Sequence, residues 1–222
     1  MTQRSGLREQ KKQATRQALR EAALRLALEH GPDNVRVDDI AEAAGVSPRT
    51  YNNYFPSREA AIVAAVTTER ETQVAEALAT LPTTVGLADA VIDAIVDQYT
   101  TQSESGREAL LLITTHPSLR GAFVHATTAI EHPLTDAITE RLGESDRITA
   151  HVLAAAVTAA IRVALEQWLQ PTPISPAASG LVVPSGPLPD LLRATLTPLA
   201  PALDAAERLN ASHPRTHTGE PS

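Results

Sequence analysis

Leu19, Ala22, Ala23 and Leu26 recur at helical spacing, while Arg8, Lys12, Arg16, Arg20 and Glu21 are read as lying off that stripe. The pattern predicts a helix over 6–30, preceded by a mobile 1–5. The breakers Gly31-Pro32-Asp33-Asn34 close it. A short helix is expected over 38–44, with Asp38 and Asp39 in a first turn whose dipole favours negative charge. Gly45 stands where a left-handed cap belongs, Ser47 supplies an N-cap oxygen, and Pro48 suits the first position of a helix over 48–55. Ser57 caps a long helix over 58–81. Further helical periods cover 86–102, 106–115, 118–131, 134–142, 146–169 and 188–209. Pro117 and Pro133 mark breaks or kinks, and Pro198 and Pro201 must bend or shorten the last helix. No strand alternation and no internal repeat is visible. Residues 210–222 are polar, hold two prolines, and read as a disordered tail.

Composition narrows this picture. Apolar residues are 43% of 222 but aromatics only 3%, so the core must be built from Ala, Leu, Val and Ile, as closely packed helices permit. The absence of cysteine excludes disulfides, thiolate zinc sites and cysteine nucleophiles, and suits a reducing cytoplasm. The basic N-terminus has no apolar run and is not a secretory signal. Residues 167–189 carry no charge and match a bilayer in length, but six prolines and two glycines cannot satisfy their backbone in lipid. That stretch reads as a loop, and no membrane partner is expected.

Charge is divided along the chain. The net charge is −7, yet residues 1–60 hold ten basic and eight acidic side chains, and the remainder nine and eighteen. The first 25 residues hold seven basic and two acidic side chains. A basic head on an acidic body is the footprint of a DNA-reading domain joined to something else, although charge alone fits a solvated basic helix equally well.

Residues 38–55 weigh more. Helix, tight Gly45-Val46-Ser47 turn, helix is the helix-turn-helix pattern, whose second helix enters the major groove. Tyr51 and Phe55, four apart, should pack inward. Arg49, Asn52 and Asn53 then share the opposite face, where Arg suits guanine and Asn adenine. Thr50 and Tyr54 flank that face and suit phosphate oxygens, and Arg58 follows at the start of the next helix.

The stretch Val37–Ile62, VDDIAEAAGVSPRTYNNYFPSREAAI, closely resembles the DNA-binding region of TetR-family regulators. The resemblance rests on Ile40-Ala41, Ala44-Gly45-Val46-Ser47, Thr50-Tyr51, Tyr54-Phe55 and Arg58-Glu59, and is convincing over about 8–66. It implies an all-α fold. A three-helix helix-turn-helix DNA-binding domain would occupy 1–56, and a helical effector-binding and dimerisation domain 57–209. It implies a homodimer on a palindromic double-stranded operator, repressing until a small-molecule effector changes the spacing of its two heads. Carried over by position, Ser47, Pro48, Arg49, Thr50, Asn52, Asn53 and Tyr54 would face DNA, with Arg58 on phosphate. Arg36 stands where the family often has a capping Thr. It cannot cap in that way and is expected to reach phosphate by charge.

The two last long segments, about 146–169 and 188–209, are expected to pair with their symmetry mates in a four-helix interface. The first carries Ala154, Ala155, Ala156, Ala159 and Ala160, small enough for a close helix approach. Effector candidates are Tyr99, His116, Arg120, Phe123, Arg162 and Trp168. So few aromatics suggest an aliphatic pocket and an apolar effector. No cofactor and no metal site is expected. An activator or a ligand-independent regulator of the same fold fits the same residues. A helical enzyme does not, since no phosphate loop, HExxH pair or nucleophile elbow is present.

Overall fold

The computed structural model describes residues 2–80, 82, 84–100, 104–170 and 187–211. Among the described residues there is no strand. In chain order the helices are α1 (Thr2–His30), α2 (Val37–Ala43), α3 (Pro48–Asn52), α4 (Arg58–Thr80), α5 (Leu87–Thr100), α6 (Glu104–Thr115), α7 (Pro117–Ala126), α8 (Glu131–Leu142), α9 (Arg147–Trp168), α10 (Leu188–Leu196) and α11 (Ala200–Ala211). Short 3-10 turns fill Pro32–Asn34, Thr127–Ile130, Glu144–Asp146 and Thr197–Leu199.

Several boundaries differ from the sequence expectation, each for a local reason. α1 begins at Thr2, not near residue 6, because Gly6 weakens a helix but does not interrupt one as proline would. α3 ends at Asn52, and a turn carries the chain to Phe55. The helix expected over 118–131 closes at Ala126. Pro133 neither breaks nor kinks the next helix. It is the third residue of α8, where a missing N–H costs nothing. Pro198 lies in the turn between α10 and α11, so the single helix expected over 188–209 is two. Asn210 and Ala211 belong to α11. The rest of the expected tail, 212–222, and most of the proline-rich loop, 171–186, lie outside the described residues.

The described residues form two compact units. One comprises those of Met1–Glu69, Gln102–Thr127 and Leu169–Ser185; the other those of Arg70–Thr101, Thr128–Trp168 and Gly186–Ser222. In the first, Leu19, Ala22, Ala23 and Ala27 of α1 share a buried core with Ile40, Ala41, Tyr51, Phe55 and Ile62. In the second, α9 packs against α8 and α10, and α10 also packs on α5. Ala150, Ala154, Val157, Ile161, Ala164 and Leu165 form the buried face of α9, and Leu188, Leu192 and Leu196 that of α10. The alanines let the helices approach closely.

A charged tether closes the second unit. The Arg141 side chain is only 9% exposed; its Nη2 donates to the Val85 carbonyl at 2.6 Å and to Glu207 Oε1 at 2.9 Å. The other Glu207 oxygen accepts the Leu87 N–H at 2.8 Å, holding the first amide of α5. α9 also has a bare apolar face. Ile148 is 83% exposed, Val152 and Val163 are exposed, and Ala155, Ala156 and Ala159 lie between them. By length and composition alone α9 passes for a membrane span, but α8 and α10 occupy its inner face.

Candidate nucleic-acid interface

Local chemistry builds the two helices around the Gly45 turn. Asp39 accepts the Arg36 N–H at 3.1 Å and so caps the start of α2. The Arg36 guanidinium has no acceptor atom to return the favour, and its side chain is exposed. α2 ends in a Schellman motif. Val46 N–H donates to the Ala41 carbonyl at 2.9 Å and Gly45 N–H to the Glu42 carbonyl at 3.0 Å, with Gly45 at φ +68°. A Cβ at Gly45 would meet nothing within 4 Å, so glycine serves the backbone angle there, not a close approach. Ser47 Oγ accepts the Thr50 N–H at 3.2 Å and lies 2.9 Å from Thr50 Oγ1, and Pro48 opens α3.

Two aromatics fix the roll of α3. Tyr51 is 0% exposed, Phe55 is buried, and their ring centres are 6.0 Å apart. The Tyr51 hydroxyl donates to the Ser57 carbonyl at 2.7 Å. Burial, aided by the nearby Glu59 charge, pushes its pKa up to about 12, so the phenol remains a neutral donor. With Tyr51 inward, Arg49, Asn52 and Asn53 are exposed, and among the described residues none of their side chains has a partner. Ser47 and Pro48 are exposed beside them, while Thr50 and Tyr54 are half-buried at the margins. These local contacts thus yield a short helix whose inner face is buried and whose outer face offers unspent donors and acceptors.

Arg58 makes its contacts within the fold. Its side chain is 29% exposed and turned back onto the fold. Nη1 donates to the Asp33 and Val35 carbonyls at 2.9 Å each, and Nε to Glu59 at 2.7 Å. Three of its five N–H directions are thereby engaged, so Arg58 braces the turn between α1 and α2. Burial alone would raise the Glu59 pKa. The hydrogen bond from Arg58, with bonds from its own amide and Ser57 and the Arg58 charge, outweighs burial and holds it below the ordinary value.

Arg16 was missed as part of this site: its guanidinium lies 5.4 Å from the centre of the Phe55 ring, a cation–π contact. The signal was available. Because α1 is unbroken from Thr2, residues 8, 12, 15, 19, 22 and 26 follow one line at spacings of four and three. Arg8 and Lys12 therefore continue the apolar stripe and do not lie off it.

The six effector candidates are divided between the two units. His116, Arg120 and Phe123 belong to the first unit, Tyr99, Arg162 and Trp168 to the second. His116 Nδ1 lies 2.9 Å from the Leu112 carbonyl, and Arg120 Nε donates to the Thr114 carbonyl at 3.0 Å, so both serve the α6–α7 corner. Phe123, Tyr99 and Trp168 are buried. Arg162 is exposed and pairs with Glu166 one turn on, at 3.0 Å. The second unit also holds a cleft of about 570 Å³ lined by Thr80, Asp93, Ala94, Val96, Asp97 and Arg193 among others. None of the six candidates lines it.

A helix-turn-helix in an otherwise all-helical chain is the arrangement of a DNA-binding transcriptional regulator. The sequence model described as bacterial regulatory proteins of the tetR family matches residues 19–65, and that of the MftR C-terminal domain matches 81–204, more than half of the chain. The chain belongs to the TetR family. No curated protein matches it. Among solved structures it is similar to RolR in complex with resorcinol, at 20% identity over 95% of this chain and 100% of that one, with a TM-score of 0.40.

Proposed function

We propose that this regulator is a repressor. It binds a palindromic operator as a homodimer and is released by a small-molecule effector. The observation that carries the reading is the outer face of α3 and its C-cap, where Arg49, Asn52 and Asn53 stand exposed and, among the described residues, unpaired, on a helix locked by Tyr51 and Phe55. Those three side chains read base edges. Ser47, Pro48, Thr50, Tyr54 and the exposed Arg36 line the phosphates on either side. Arg58 acts on phosphate only through the turn that it braces.

The bare face of α9 supports the dimer. Ile148, Val152 and Val163 form an apolar row left exposed among the described residues, and a second copy covers it. The effector belongs to the second unit, where Tyr99 and Trp168 are the buried aromatic candidates for an apolar molecule. This reading makes the protein cytoplasmic and non-enzymatic.

Selection from a pool of random duplexes with the full-length protein tests it. Enrichment of an inverted repeat supports DNA reading and two-fold symmetry together. No enrichment at low salt, from a folded dimer, overturns the autonomous repressor.

A further inference from the structure

α1 changes character along its length. From Leu19 onward its inner face is buried core, whereas residues 6–14 are exposed all round. The line through 19, 22 and 26 runs on through Thr15, Lys12 and Arg8, with Lys11 and Arg16 on its flanks. The face that meets the reading head as apolar side chains therefore becomes basic where the helix projects beyond it. The nine residues 6–14, at about 1.5 Å each, extend it by about 14 Å. The Arg16–Phe55 contact fixes the root of this projection at the end of the reading motif. Among 6–18 the only acid is Glu9, whose ion pair with Lys12 is 3.9 Å long and exposed on both sides, hence weak. Among the described residues no carboxylate pairs with Arg8 or Lys11. The segment precedes residue 19, where the family match begins.

We propose that this projection is a second DNA-contacting element. Arg8, Lys11 and Lys12 hold the phosphate backbone of the duplex just outside the half-site that α3 reads. The inference rests on the DNA-reading function proposed above. Charge complementarity selects the partner: three cations on one face, rooted beside a reading helix, fit a phosphate backbone. Leu7 is the only large apolar residue among 6–18, so the segment has no apolar face with which to enter a membrane. The contact adds affinity without sequence preference.

The test compares the full-length protein with an Arg8→Gln/Lys11→Gln/Lys12→Gln variant by fluorescence anisotropy across a salt series. One probe is the selected inverted repeat trimmed at its edges; the other extends it by about ten base pairs, one helical turn, on each side. Extension should tighten wild-type binding, and the variant should lose that gain. Its salt slope should be shallower by about 2.7 per protomer, at about 0.9 per phosphate contact, so that a fourfold rise in salt costs each variant protomer about 40-fold less. Preference for the repeat over a scrambled duplex, and the melting temperature, should not change. A variant with the wild-type slope and the wild-type gain from extension overturns the proposal and leaves the reading helix standing. Anionic vesicles that capture the wild type but not the variant, with DNA binding unaltered, would assign the stripe to lipid. A wild type that binds neither probe at low salt removes the parent reading as well.

Discussion

α3 and α9 each leave a face uncovered, and the two faces are opposites. Among the described residues α3 exposes a guanidinium and two amides with no hydrogen-bond partner; α9 exposes Ile148, Val152 and Val163, which can form none. The inner side of each is fixed in the same way, by buried apolar contacts that set the roll of the helix. What differs is the solvent that the outer face asks for. A polar face with unspent donors is satisfied by base edges, an apolar one by another apolar surface. The partner of each helix is thus written in what the fold leaves unpaired.

The comparison breaks most visibly on α9. Val152→Glu puts a charge on the apolar face, and burying that charge unpaired against a second copy would cost several kcal/mol. The variant should sediment as a monomer and lose operator binding, since each head alone contacts half a palindrome. A Val152→Glu dimer would mean that α9 is not the interface. Next comes the α3 face. Arg49→Ala or Asn52→Ala should cost about 1–3 kcal/mol in operator affinity and relax selectivity at one position. Unchanged affinity and selectivity in both would reassign the reading face.

A similar figure applies to Arg58, but to another quantity. Removing its charged hydrogen bonds in Arg58→Ala should lower folding stability by about 1.5–3 kcal/mol in chemical denaturation and leave the salt slope of binding alone. An unchanged stability with a slope reduced by about 1 would return Arg58 to the phosphate. The smallest effects are in pH. Glu59 titrates below its ordinary value in the fold, so its stabilisation is present above the unfolded pKa of about 4.3 and is lost as pH falls through the folded one. Glu59→Gln should flatten the acid limb of the stability profile. Tyr51 works in the other direction. Its stabilisation is complete below pH 10 and disappears as pH rises towards about 12, and Tyr51→Phe should remove that alkaline limb.

The reading motif was legible because its determinants are local. Gly45 at the left-handed cap, Ser47-Pro48 at the helix start and Tyr51 with Phe55 one turn apart all act within a few residues, and the structure has them where the spacing puts them. The bracing bonds of Arg58 were not legible because its acceptors lie 23 and 25 residues back, and no periodicity records so distant a reach. Its basic character suggested phosphate just as well. Arg141 was invisible for the same reason, its partner Glu207 being 66 residues away. Among the effector candidates, chemical type did not reveal burial. Arg162 carries its own counter-ion at one helical turn, a pairing the sequence did contain. Pro133 was read as a breaker because a proline marks a boundary without saying on which side of it the helix lies.

The Leu87–Glu207 bond has a consequence for synthesis. It joins residues 120 apart, so the first amide of α5 waits for its acceptor until nearly the whole chain has been translated. At about 5–20 residues per second that delay is about 6–24 s. The hydrogen bonds that hold α3 and its brace span at most 25 residues and are available as soon as they leave the ribosome. A nascent chain can therefore display the hydrogen-bonded α2–α3 motif well before its second unit is closed. Ribosomes clustered on one message hold many such motifs close together, and the late arrival of α11 sets the stage at which the second unit is complete.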